Sequence, residues 1–184
     1  MIIQETSLKG LYLIQPKIFE DSRGYFFESY NYANLEKVGI HIHFVQDNQS
    51  KSVHGVIRGL HYQIEPKAQT KLVRVLSGRI YDVAIDVRKG SPSFGKWFGV
   101  ELSELNHQQL LIPKGFAHGF SVMSETAIIH YKCDEFYAPE FDAGIIFNDP
   151  TLGIDWKIPP DKVIVSDKDK KLPLFENAKN NFSY

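Results

Sequence analysis

The 184-residue sequence predicts an all-β fold, a jelly-roll barrel or β-sandwich with a few short helices and an irregular C-terminal segment. Three observations carry that reading. Short segments of period-two or β-branched character recur along the chain with Gly and Pro turns between them. Thirteen Phe and nine Tyr supply the residues that suit a pleated, half-buried surface. Only Asn31–Val38 shows helical spacing, through Tyr32, Leu35 and Glu36. The length suits one domain over residues 1–184, with no internal repeat, low-complexity tract or linker.

In chain order, GLYLIQPKIF reads as a strand and DSRGYFFE as a β-turn leading into another. After the helix come FVQDNQS and GVIRGLHYQ, each an apolar or aromatic run interrupted by polar residues. KLVRVLSGRIYDVAIDV reads as two strands joined into a hairpin by Ser77-Gly78. KWFGVEL and QQLLIP follow as strands; Pro113 and Gly115 then set a tight turn, with Ala117, His118 and Gly119 before the chain resumes as GFSVM. AIIHYKCDEFY is the last clear strand. From DPTLGIDW onward Pro, Asp and Lys increase, so this part is expected to pack irregularly across the sheets and NAKNNFSY to fray.

Composition excludes several function classes. A formal net charge of -1, from 21 basic and 22 acidic residues, argues against sequence-independent nucleic-acid binding. Cys133 is the single cysteine, so no intrachain disulfide forms and zinc-type Cys spacing is absent. No apolar run reaches the length of a membrane span, and MIIQETSLKG lacks the layout of a signal peptide, so a cytoplasmic location is expected.

The chemistry is sought in polar residues that interrupt apolar strands: Gln46, Asp47, Asn48, Arg58, His61, Lys71 and Tyr131. Burying any of them unpartnered costs several kcal/mol, so their number suggests a polar-lined cavity. Taken singly, each reads more readily as a satisfied structural or solvent-facing residue. Arg58 and His61, three apart, would face opposite sides of a regular strand. Gly59 between them allows a bulge that turns both toward one cavity.

Pro-x-Gly-x-x-His at Pro113–His118 resembles the second motif of cupins, whose His often binds a metal. The first cupin motif needs His-x-His followed by Glu, yet His61 is followed by Tyr62-Gln63. With the second His missing, a metal-free site is expected. In DSRGYFFE an Arg suits phosphate oxygens and an aromatic face can stack a base, although on this patch alone a plain turn and strand is the better reading. SDKDKKLP reads as a solvated charge run, or as a source of one carboxylate for a His ring and one Lys for a phosphate.

DSRGYFFE, FVQDNQSKS, GVIRGLHYQ, KLVRVLSGRIYDVAIDVRKGSPSFGKW, LIPKGFAHGF, YKCDEFYAPE, NDPTLGIDW and SDKD stand here in the order found in dTDP-4-dehydrorhamnose 3,5-epimerases. The sequence resembles that family from about Thr6 to Pro173. The resemblance implies a cupin-type jelly roll, a homodimer, and no metal or other cofactor. It implies a dTDP-linked 4-keto-6-deoxy sugar as substrate, with inversion at C3 and C5, giving dTDP-4-keto-L-rhamnose in dTDP-L-rhamnose biosynthesis. By the same resemblance His61 is the base, Asp169 is oriented toward its ring, Tyr131 is the acid on the opposite face, and Lys71 sits by the ketone oxygen. Arg23, Glu28, Gln46, Asn48, Arg58, His118 and Lys168 match substrate-contact positions, with Phe26 as a base-stacking residue. Asp142 matches a contact position where many relatives carry Glu.

Those assignments make chemical sense. A C–H beside a ketone needs a base, and imidazole, titrating at about 6.5, suits neutral pH. A carboxylate on the other ring nitrogen fixes the tautomer and stabilises the imidazolium. The developing enolate needs a cation or donor at its oxygen, and inversion needs a proton donor on the opposite face. Three other readings stand beside this one: a single-carbon epimerase on a related nucleotide sugar, a metal-dependent cupin oxygenase or isomerase, which the missing second His disfavours, and a non-catalytic sugar-nucleotide binding module.

Overall fold

The computed structural model describes residues 1–184. Its strands in chain order are β1 (Ile2–Glu5), β2 (Tyr12–Gln15), β3 (Phe19–Asp21), β4 (Gly24–Phe26), β5 (Gln46–Val53), β6 (Ile57–Gln63), β7 (Lys71–Ser77), β8 (Arg79–Asp86), β9 (Trp97–Ser103), β10 (Gln109–Ile112), β11 (Phe116–Val122), β12 (Thr126–Cys133) and β13 (Asp142–Gly144). A six-stranded sheet runs β1-β2-β10-β7-β12-β5, and a five-stranded sheet runs β13-β6-β11-β8-β9. β3 and β4 form a separate antiparallel hairpin. The all-β jelly-roll expectation holds.

Apolar residues sort into three layers because strand side chains alternate between faces. Val73, Val75, Ala127 and Ile129 of the larger sheet meet Ile80, Ala84, Phe116 and Phe120 of the smaller one, forming the inter-sheet core. The outer face of the five-stranded sheet, through Ile57, Leu60, Tyr62, Val83 and Ile85, is covered by Ile145, Leu152, Trp156, Val165 and Phe182 from the C-terminal segment. The outer face of the six-stranded sheet places Ile14, Leu72 and Leu111 against Leu35 and Ile40. Leu35 belongs to the one α-helix, α1 (Tyr32–Glu36), shorter than the helical spacing of the sequence suggested.

Four local expectations are corrected. β7 and β8 are not a hairpin, since β7 pairs with β10 and β12 while β8 pairs with β11 and β9. At φ +82 Gly78 redirects the chain from one sheet to the other; a Cβ there would lie 2.1 Å from the Thr126 carbonyl oxygen. GLYLIQPKIF is two strands, β2 and β3, with Pro16 in the break. His118 lies mid-strand in β11, not in the turn before it. The C-terminus is held down: Phe182 is buried, Ser183 bridges Lys89, and the Tyr184 amide donates to the Lys89 carbonyl at 3.0 Å.

Candidate active site

A cavity of about 320 Å³ opens between the sheets at one end, lined by Gln46, Asn48, His61, Tyr62, Gln63, Gln69, Lys71, Tyr131, Tyr137, Asp142 and Lys168. Strand register builds its larger wall. Tyr131 of β12 lies opposite Asn48 of β5 and Val73 of β7, and Cys133 lies opposite Gln46 and Lys71. Below these polar rows the inward positions become Val75, Ala127 and Ile129, so the cavity grades into the core.

The second wall depends on the bulge. Arg58 pairs with Phe120 and His61 with His118, so β6 uses three steps where β11 uses two. Phe120 is an inter-sheet core residue of β11, and His118 shares its parity. Arg58 and His61 therefore face the interior together, while Ile57, Leu60 and Tyr62 face the outer layer. Gly59 takes φ +124, and a Cβ on it would come within 2.5 Å of the Gly119 Cα.

His61 Nε2 meets Asp169 Oδ1 at 2.9 Å, and the Gly59 amide donates to Asp169 Oδ2 at 3.2 Å. The Asp169 amide in turn donates to Ser166 Oγ at 3.1 Å. Burial opposes ionisation of Asp169, but the His61 ring, the Gly59 amide and the Ser166 hydroxyl outweigh it and hold the carboxyl below its ordinary value. With Nε2 engaged, Nδ1 is the ring nitrogen left to exchange a proton.

Burial is the main influence on Lys71 and lowers its pKa, with Cys133, Asp142 and Asp82 offsetting part of the effect. Burial raises the pKa of Tyr131, helped by Cys133 and opposed by Arg58, so the phenol stays protonated at neutral pH. Lys168 Nζ reaches Asp142 Oδ2 at 2.6 Å, which raises the Lys168 pKa and ties the SDKD segment to β13.

The remaining sequence-selected residues lie around the cavity or apart from it. Arg58 donates from Nε to Ser52 Oγ at 3.0 Å on the facing sheet. His118 is buried beside His61 and contacts Asp82 Oδ1 through Nε2 at 2.7 Å. Arg23 and Phe26 are exposed on the β3–β4 hairpin, where Arg23 pairs with Asp21 at 2.6 Å. Glu28 accepts from Asn31 Nδ2 at 2.9 Å. None of these five lines the cavity in this chain. No three His, Cys, Asp or Glu side chains converge in a way that would hold a metal ion.

Four wall residues are not among the contacts expected from the sequence: Tyr62, Gln63, Gln69 and Tyr137. AIIHYKCDEFY is shorter as a strand than its sequence suggested: β12 ends at Cys133, and Phe136 and Tyr137 lie in the loop that follows. Gln63 was weighed only as a histidine that is absent.

The family model for dTDP-4-dehydrorhamnose 3,5-epimerase matches residues 5–177. The chain belongs to the dTDP-4-dehydrorhamnose 3,5-epimerase family. A dTDP-4-dehydrorhamnose 3,5-epimerase of Methanothermobacter thermautotrophicus is 51% identical over 175 residues, covering 94% of each chain. The crystal structure of the epimerase from Elizabethkingia anophelis superposes with a TM-score of 0.93 at 52% identity, covering 96% of this chain and 97% of that one. A dTDP-6-deoxy-D-glucose-3,5-epimerase from Legionella pneumophila, solved with dTDP-4-keto-L-rhamnose, gives a TM-score of 0.91 at 48% identity over 96% of this chain and 93% of that one. As a member of the epimerase family, the chain has a cupin-type jelly roll, as its sequence led us to expect.

Proposed function

We propose that this chain is a dTDP-4-dehydrorhamnose 3,5-epimerase, inverting C3 and C5 of dTDP-4-keto-6-deoxy-D-glucose to give dTDP-4-keto-L-rhamnose for dTDP-L-rhamnose biosynthesis. The observation that carries the reading is that His61 and Tyr131 line one cavity from opposite sheets, with Lys71 on the same wall as Tyr131.

In this mechanism His61 Nδ1 takes the proton beside the C4 ketone. Asp169, held ionised by its partners, stabilises the imidazolium. The electron pair moves onto the ketone oxygen, where Lys71 meets the developing charge. Tyr131 delivers a proton to the opposite face, and its raised pKa keeps it a donor. The reaction needs no redox partner, since each carbon loses and regains one proton.

Gln46, Asn48, Asp142 and Lys168 on the cavity wall bind the sugar and phosphates. Arg58 and His118 border it through the bulge and β11. The half-exposed ring of Tyr137 suits stacking of the base. A homodimer is part of the reading: Phe19, Tyr25 and Phe26 stand exposed on the β3–β4 hairpin, and a second copy would cover them and employ Arg23, Phe26 and Glu28. So are a single domain over residues 1–184 and a cytoplasmic location; no helix is long and apolar enough to cross a membrane.

The test is NMR of dTDP-4-keto-6-deoxyglucose in D2O with the purified chain. Deuterium at both C3 and C5 is the expected result. Exchange at one carbon would make it a single-carbon epimerase, and no exchange would overturn the proposal.

A further inference from the structure

Gln63 occupies the position where a metal-binding cupin would carry its second histidine, and the structure gives its side chain other partners. It is buried, at 3% exposure, yet it uses both ends of its amide. Gln63 Nε2 donates to the Lys67 carbonyl at 2.6 Å and to the Phe136 carbonyl at 3.2 Å. Gln63 Oε1 accepts from the Ala138 amide at 2.7 Å. Phe136 and Ala138 are the two residues flanking Tyr137. The Tyr137 amide itself donates to Gln46 Oε1 at 3.0 Å.

Three consecutive backbone units around Tyr137 are thus held by two glutamine side chains that rise from the inward faces of opposite sheets. The earlier part of the same loop is anchored separately: Asp134 Oδ1 accepts from the Thr70 amide and the Glu135 carbonyl accepts from Gln69 Nε2. Those contacts fix the loop as it leaves β12. The bonds from Gln63 fix the two peptide groups that decide where the Tyr137 ring points. A loop residue whose neighbours are held in place loses less freedom when a ligand orders it, which strengthens binding without touching the reacting carbons.

We propose that Gln63 is a positioning residue for nucleotide recognition, acting through Tyr137, and that it has no part in the proton transfers. This rests on the epimerase reading above, in which Tyr137 meets the nucleoside end of the substrate. It assigns two functions to neighbouring positions of β6: His61 to the sugar and Gln63, through the loop, to the base.

The experiment measures dTDP binding by calorimetry and steady-state kinetics for wild type, Gln63→Met, Tyr137→Ala and the double variant. Gln63→Met keeps the volume and removes all three hydrogen bonds. We expect its dTDP Kd and its KM to rise together by about tenfold, with kcat within about twofold of wild type. We also expect the double variant to bind no more weakly than Tyr137→Ala alone. A fall in kcat with Kd unchanged, wild-type binding, or losses that add in the double variant would each overturn the proposal. Should Gln63→Met fail to fold, Gln63→Glu decides by the same readings, because it keeps the acceptor for Ala138 while losing both donors. A wild-type chain that binds no dTDP would instead overturn the epimerase reading itself.

Discussion

Arg58 and His61 stand three residues apart on one strand and face the same side of it. The extra residue is Gly59, whose amide binds the same carboxylate that holds the His61 ring. One backbone irregularity therefore aligns the two side chains and fixes the position of Asp169.

That geometry makes Gly59→Ala a demanding substitution. Its φ of +124 and the 2.5 Å approach to Gly119 Cα leave no room for a methyl group between two backbones. We expect a loss of roughly 3 kcal/mol or more, measured by urea denaturation. Exchange activity should fall even under conditions where the variant is folded, because the bulge that aims His61 is disturbed.

Asp169→Asn should separate positioning from folding. The native carboxyl is held below its ordinary value of 3.8, so its contribution to stability is present above that pH and disappears as the pH falls through the folded value. The stability deficit of the variant should then be full at pH 7 and shrink below about pH 4, read as urea midpoints across that range. At neutral pH kcat should fall roughly a hundredfold or more, since the ring loses both its orientation and its counter-charge.

For Lys71→Gln we expect kcat to drop by about two to three orders of magnitude, the size seen when one donor to a developing oxyanion is lost. Affinity for dTDP alone should be unchanged, because the ammonium serves the sugar ketone. Calorimetry with dTDP beside single-turnover kinetics checks both halves.

In Tyr131→Phe, proton removal should outlast correct reprotonation. Deuterium exchange should continue while product formation falls by about a hundredfold. Equal loss of both would assign Tyr131 an earlier role, and no loss would require another acid.

The sequence made the layers of the fold visible because alternation of apolar residues is a local signal. KLVRVL, RIYDVAIDV and AIIHYKC could each be read one strand at a time. Which sheet each joins was hidden, since Ser77-Gly78 fits a hairpin and a sheet-to-sheet crossing equally, and only the long-range pairing of β7 with β10 and β12 and of β8 with β11 and β9 distinguishes them. His61 and its bulge were legible because a charged pair in an apolar strand with a central glycine is anomalous. The partnership of His61 with Asp169 spans 108 residues, and no local pattern encodes it; the family resemblance supplied it. The sequence marked Gln63 only as the place of a missing histidine; its hydrogen bonds to the loop around Tyr137 join side chain to loop backbone and leave no periodic trace. The frayed C-terminus was expected from composition, and the burial of Phe182 beneath Tyr62 and its neighbours reversed it.

The central claim is that one imidazole removes both protons. The most direct measurement is NMR exchange of dTDP-4-keto-6-deoxyglucose in D2O with His61→Ala, whose folding is checked by circular dichroism. The expected result is loss of deuterium incorporation at C3 and C5 alike, by about three orders of magnitude or more. Near-normal exchange at either carbon in the folded variant would contradict the mechanism.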